Sequence, residues 1–397
     1  MTKTARTIAI VASSAAIIAG AAVAIKAALS SPATNASVTS VMTTSHVKSQ
    51  NSLDSLSYPT AQAKKSTDSI NIYYDSLKLI AVKKVNYSSP SSPPSNAVDS
   101  NSFPMQPTYK TSLPVSYSGK SNFVISGLSF TGGTNCIQLT NCSNVTITNC
   151  EMKGASKYEI YITGNCKNIK VLYNYISGGI AGVHAENSSS IVVNHNQIGD
   201  ILGPFPGGNF VQFVNVSGPK SSINYNRCED LPGVGKPEDG LSVYQSNGAP
   251  GDSIMVLGNW IRGGQITKTS GGAAGIVLGD VGGSYQVARG NILVNPGFVG
   301  IQVQGGTHIK MDHNTVFSTA TAYSNDGMSF GNYSGKPVSD INMSYNKIKF
   351  FNKSNVETDM WVDPSAGLTP AGWSTNIGKA NIDATILPTV VRTWSWK

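Results

Sequence analysis

A solenoid of stacked β-strand coils is the fold class this sequence predicts, and three observations predict it. The first is repetition. "NIKVLYNYISGG" (168–179), "SIVVNHNQIGD" (190–200), "SIMVLGNWIRGG" (253–264), "HIKMDHNTVFS" (308–318) and "DINMSYNKIKF" (340–350) share one pattern. In each, alternating apolar and polar residues lead to an Asn. The second is composition: of 397 residues, 40 are Gly and only 13% are charged, which suits strands and turns better than long surface helices. The third is the repeat length. A period near 22 residues without helical periodicity means a solenoid, and the Leu-rich consensus of leucine-rich repeats is missing.

Aligned on their centres, the units run through Leu128, Cys150, Asn174, Asn196, Cys228, Asn259, Asn291, Asn314 and Asn346. The intervals are 22, 24, 22, 32, 31, 32, 23 and 32 residues, giving about nine coils. Asn is expected there because it tolerates the left-handed turn conformation and its side chains can hydrogen-bond from coil to coil. A second short strand follows each centre, as in "IQL" at 137–139, "IYI" at 160–162 and "VHA" at 183–185, often after a Gly such as Gly182 or Gly240. Strands of successive coils then stack about 4.8 Å apart, and a parallel β-helix is the arrangement that remains.

The flanking regions read differently. Lys3 and Arg6 precede an uncharged stretch from Thr7 to Ile25, so residues 1–30 are an export signal or an uncleaved N-terminal membrane anchor. No Cys precedes Cys136, which excludes a lipoprotein anchor at the signal. Residues 31–107 form a Ser/Thr/Pro-rich linker with one strand-like run, "SINIYY" at 69–74, and the β-helix domain occupies 108–390. The net charge of +8 is uneven: residues 1–120 hold 11 Lys/Arg against 4 Asp/Glu, while the rest holds 18 against 17. The near-neutral repeat region argues against a nucleic-acid partner. Five cysteines cannot all pair with one another; Cys142 and Cys166 stack as buried thiols or form a disulfide.

On these residues the chain resembles the right-handed parallel β-helix repeat proteins of the pectate-lyase-like superfamily, over roughly 108–390. "PEDGLSVYQSNG" with "GIVLGDVGGSYQVARGNILVNPG" is similar to an exported bacterial branch of that group. The resemblance implies an exported protein, extracellular, periplasmic or at the cell surface. The Asn-Thr-Asp and Gly-His-Gly elements of polygalacturonase-like hydrolases are absent. So are the arginine motif of the main pectate lyases and the Asp-Pro-His motif of alginate epimerases.

Geometry gives a separate route to a site. If Ile137, Ile160, Val183, Val211 and Leu241 point inward, their successors form an outward column: Gln138, Tyr161, His184, Gln212, Ser242, Val277, Gln302 and Ser329. Two residues on lies a second column with Thr163, Glu186, Val214, Tyr244 and Gly279. Tyr161, His184 and Gln212 are then neighbours, with Glu186 beside His184 and Glu159 two residues before Tyr161. Insertions "ILGPFPGG", "LPGVGKPED" and "GGQITKTSGGAA" fall on one edge and would wall a groove. In "SYQVARGN" four positions rather than three separate Val287 from Asn291. Either a bulge lies near Arg289 or Gln286 and Ala288 face inward.

A Tyr–His–Gln group with carboxylates suits lyase-type β-elimination on a uronic-acid polymer, with His184 or Tyr161 as base and Gln212 neutralising the substrate carboxylate. A second version uses Lys236, Arg262, Lys268 or Arg289 with Ca²⁺ held by Glu238, Asp239 and Asp280. A glycosidase pair of Glu186 and Asp239 fails, since strand geometry puts them roughly 19 Å apart where about 5–9.5 Å is needed. Glu159, Ser242, Tyr244 and Trp260 complete the expected polysaccharide-binding surface of a monomer. The rival class is a non-catalytic cell-surface glycan-binding or envelope protein, for which exposed Tyr161, Tyr244 and Trp260 would suffice.

Overall fold

The computed structural model describes residues 108–203, 207–231, 233–264 and 274–392. The expected signal or anchor, the linker and Lys268 lie outside these residues. The described chain is a right-handed parallel β-helix of three sheets. Each coil passes through one strand of each sheet. We name them by position: a ladder sheet of ten strands from Lys110–Ser112 to Lys347–Phe350, a groove sheet of ten from Val115–Ser118 to Met360–Val362, and a back sheet of nine from Ser121–Ser126 to Ser339–Ser344. Among the described residues no helix is long and apolar enough to cross a membrane.

Alternation explains the interior. Ile160, Ile162, Ile169, Val171 and Ile176 of one coil are all fully buried, and their counterparts above and below continue the same columns into one core. Burial of such side chains stabilises by roughly 1.5–3 kcal/mol each, which is the main reason the coils stack in a single register. All five cysteines are buried and free; Cys166 Sγ instead accepts a hydrogen bond from the Cys142 backbone N–H at 3.2 Å.

The repeated Asn forms a continuous internal ladder, with one correction. The member in the fifth coil is Asn226, not Cys228, which lies two residues on in the column of Ile198 and Ile261. Asn226 follows Ile223 by three residues, as Asn174 follows Val171. From Asn196 on, each ladder Oδ1 accepts from both the backbone N–H and the Nδ2 of the Asn in the coil before it, while Asn174 Oδ1 accepts from the Cys150 N–H. Asn226 donates both bonds to Asn259 Oδ1, at 2.9 and 3.0 Å. Its Nδ2 also donates to Val193 O at 2.8 Å. The column extends to Asn376, beyond the last repeat seen in the sequence.

The ladder Asn is also not the left-handed residue. That conformation belongs to its predecessor: Tyr173, His195, Tyr225, His313 and Tyr345 all have φ near +55°. These side chains project outward, and Tyr173, His195 and Tyr225 stack at 5.1 and 5.2 Å. Left-handed Asn does occur at another corner, where exposed Asn122, Asn144 and Asn168 form their own outer ladder.

Two irregularities bear on the site. At "SYQVARGN" the register is unbroken and Gln286 and Ala288 face the core, so there is no bulge near Arg289. The bulge falls earlier, between Ser242 and Tyr244 of one strand and Val277 and Asp280 of the next. Gly279 there has φ +63°, and a Cβ on it would sit 2.2 Å from Gly305 O. Buried Gln286 Oε1 accepts its N–H at 2.9 Å and fixes the bulge from inside.

The segment after the last strand returns across the outer face of the ladder sheet. Val294, Phe317, Leu387 and Val391 form a small apolar cluster there, with Trp260 and Ile292 packed against it. Arg262 donates to the carbonyls of Ala384, Leu387 and Pro388, each at 2.9 Å. Arg392 reaches Asp200 Oδ2 at 2.7 Å and Tyr175 Oη at 3.0 Å.

Candidate active site

The outward face of the groove sheet is where the sequence columns meet. Tyr161, His184, Gln212 and Ser242 are register partners in four consecutive coils, followed by Val277, Gln302 and Ser329. Glu186 lies two residues beyond His184 on the same face, with its Oε2 3.5 Å from His184 Nε2. Tyr161 Oη donates to Glu186 Oε1, and Thr163 Oγ1 donates to the same oxygen at 2.9 Å. One carboxylate therefore touches a phenol, a hydroxyl and an imidazole.

Environment separates the titrations of these groups. Burial lowers the pKa of His184, against the opposing pull of Glu186, so the imidazole is neutral near pH 7. Burial pushes the Glu186 carboxyl up, but hydrogen bonds from Tyr161 and Thr163 and the nearby His184 outweigh it and hold the pKa below its usual range. Burial, then the bond to Glu186, raises Tyr161. With Nε2 facing a carboxylate, the neutral ring carries its proton there. Nδ1 is left buried without a hydrogen-bond partner.

Two residues that the column argument missed join this group. Tyr158 stacks on the His184 ring at 4.5 Å, and Lys157 Nζ lies 4.6 Å from the Tyr158 centroid and 5.8 Å from that of Tyr161. The signal was the Tyr that opens the strand "YEIYIT": at the strand start the alternation breaks, so Tyr158 joins Tyr161 on the outside.

The same break corrects Glu159. Its column holds Cys136, Gly182, Phe210, Gly240 and Gly275, and it turns inward at the corner between ladder and groove sheets. A Cβ at Gly182 would lie 2.9 Å from core residue Ile198. Glu159 is fully buried, accepts from Ala155 N–H at 3.1 Å and has its pKa raised by burial to about 7. It is an internal acid and not a binding residue.

The expected cationic set does not assemble. Arg262 and Trp260 lie on the ladder sheet beneath the C-terminal segment, and Arg227 stacks on Trp260 at 5.0 Å. Arg289 is on the back sheet, with its Nη2 2.9 Å from Asp312 Oδ2. Lys236 is exposed on the 231–239 loop. These residues were chosen by charge rather than by column, and charge alone does not place a side chain on a face.

The expected calcium ligands also diverge. Glu238 Oε2 accepts from Gly207 N–H, and Asp239 Oδ1 accepts from Ala274 N–H at 2.8 Å. The bulge puts Asp280, not Gly279, beside Tyr244 in the second outward column. Among the described residues no three His, Cys, Asp or Glu side chains gather as a cation site. The three carboxyls still act on one another: burial, then Glu238, raises Asp280 to about 6, and burial with Glu238 and Asp280 pushes Asp239 well above the carboxylate range.

A family model described as right handed beta helix region matches residues 114–316. The chain belongs to the right-handed β-helix family. Solved β-helices similar to it include DFA-IIIase from Arthrobacter chlorophenolicus A6 in complex with GF2, at 18% identity and a TM-score of 0.41, covering 66% of this chain and 60% of that one. The enzymatically active domain of tailspike protein 2 of bacteriophage CBA120 is 12% identical, with a TM-score of 0.38, over 64% of this chain and 41% of that one. The catalytic domain of a GH87 alpha-1,3-glucanase gives 12% and 0.37, over 64% and 54%. The chain thus spans about 60% of the first of these, and the likeness concerns the fold alone. No curated protein matches the sequence.

Proposed function

We propose that this β-helix is a carbohydrate-active protein that lays a polysaccharide along the outward face of the groove sheet and cleaves it by β-elimination. One observation carries the reading: Glu186 bridges Tyr161 and His184, while His184 Nδ1 has no partner. Elimination at a uronate needs a base for the C5 proton and an acid for the departing O4 oxygen. Neutral His184 supplies the base at Nδ1, which meets C5 once bound sugar displaces the Tyr158 ring stacked on it. The C5–H electrons form the C4–C5 double bond, and the C4–O4 bond breaks. Tyr161, kept protonated by its raised pKa, gives its proton to O4. The imidazolium then passes its Nε2 proton to Glu186, and Glu186 returns a proton to the phenolate; this leaves the ring protonated at Nδ1, and exchange with water after product leaves restores the Nε2–H tautomer. The Gln212 amide and the Lys157 ammonium are the groups near enough to offset charge gathering on the substrate carboxylate.

A second reading rests on the burial of His184, which is 6% exposed. A protein that only grips glycan would use Tyr158 and Tyr161 as stacking surfaces and leave His184 as support. Export, expected from the leader, would place either activity outside the cytoplasm. A panel of uronic-acid polysaccharides separates the two readings. Ultraviolet absorbance from new unsaturated uronates supports the lyase; binding without new reducing ends supports the grip.

A further inference from the structure

The groove sheet has two chemically different halves. Around His184 the side chains offer a cation, amides and rings. Two coils further on, at Ser242 and about 10 Å away by strand spacing, the same face turns acidic with Glu238, Asp239 and Asp280. Carboxyl groups alone specify nothing, but the acidic half also contains a buried hydroxyl with nothing to bond. Ser242 Oγ is fully buried on the outward column without a partner. Asn209, the register partner of Asp239, is also fully buried and bonds to the Asp239 carboxyl. A buried polar group left unmet costs about 1–3 kcal/mol, and Ser242 stands on the face of this sheet beside the carboxyls.

Resting on the reading of this face as a polysaccharide site, we propose that its second half is a subsite for an uncharged sugar, so that the substrate is a mixed polymer with neutral residues beside its uronates. Sugar hydroxyls both donate and accept, and they can satisfy a serine and carboxyl groups together. A uronate in the same place would add a negative charge beside the Glu238 and Asp280 carboxyls in a setting that screens poorly. The Asp239 carboxyl is held in place by the Ala274 N–H and by Asn209.

The test is calorimetric binding on the His184→Ala protein, which holds substrate without turnover. The probes are tetrasaccharides that alternate uronate with neutral hexose and tetrasaccharides made of uronate alone. The mixed probe should bind about tenfold tighter. Ser242→Ala should weaken the mixed probe about fivefold and leave the all-uronate probe unchanged. Glu238→Gln with Asp280→Asn should strengthen only the all-uronate probe. Free of sugar, Ser242→Ala should melt no lower than the parent, because the hydroxyl it removes bonds to nothing. Equal affinity for the two probes, or a Ser242→Ala protein that melts lower and binds as before, overturns the subsite while leaving the groove reading intact. Failure of both probes to bind overturns the groove reading and the subsite with it.

Discussion

His184 and Glu186 stand two residues apart on one strand, with Nε2 and Oε2 3.5 Å from each other on the same outward face. The spacing follows from the two-residue period of a strand. The pairing orders the imidazole so that its other nitrogen is the free one.

That pairing sets the first expectation. With lyase activity in hand, His184→Ala should lower kcat by about 10²–10⁴-fold, the usual worth of a positioned acid or base. Wild-type activity should rise with pH through a value below the ordinary His range, because burial favours the neutral ring. Glu186→Gln removes a charge that raises the His184 pKa, so the acid limb of the pH–rate profile should move lower still while kcat falls. A limb that stays in place would show that Glu186 does not act through His184.

The inner ladder should be far less tolerant than the outer one. Asn259→Ala removes the acceptor for two donors of Asn226 and should cost roughly 3 kcal/mol in chemical denaturation. Asn144→Gly on the exposed corner keeps the left-handed backbone and should change stability by less than about 0.5 kcal/mol.

Arg262 should hold down the C-terminal segment rather than act on substrate. Arg262→Ala leaves three carbonyls without their donor and should make the chain after Ile382 sensitive to limited proteolysis, with turnover unchanged. Arg262→Lys should not rescue it, since a single ammonium cannot reproduce the guanidinium fork.

Stability should fall toward alkaline pH because of two internal acids. Burial raises Glu159 from 4.5 to about 7 and Asp230 from 3.8 to about 7. The folded chain binds protons there that the unfolded chain has released. This contribution is complete below pH 4 and lost as pH rises through 7, roughly 3 kcal/mol for Glu159 alone. His184 works the other way, losing stability as pH falls below the ordinary His range. Glu159→Gln should melt like wild type at pH 5 and above it at pH 8.

Much of this arrangement was legible in the residues. The outward column from Gln138 to Ser329 holds in every coil, because each coil must bury the same alternate positions. The approach of Glu186 to His184 follows from it. The misreadings have local causes. The strand Ser222–Asn224 contains one apolar residue, too few to phase the repeat, and so Cys228 stood in for Asn226. Glu159 looked outward because strict alternation was carried past the strand start, where the Gly of neighbouring coils mark a crowded inward corner. Trp260 and Arg262 directly follow ladder Asn259, and that position alone puts them on a different sheet from His184.

The ladder also bears on how such a chain can change over generations. Its amides join coils whose lengths differ by about ten residues, since each Asn touches only the coils beside it and ignores whatever hangs from the edge. Insertions between ladder positions are therefore neutral to the scaffold, whereas a gain or loss of sequence keeps the fold only if it spans Asn to Asn. Heredity can work on this protein in two independent units: the whole coil, which sets the length of the binding face, and the edge loop, which sets what that face meets.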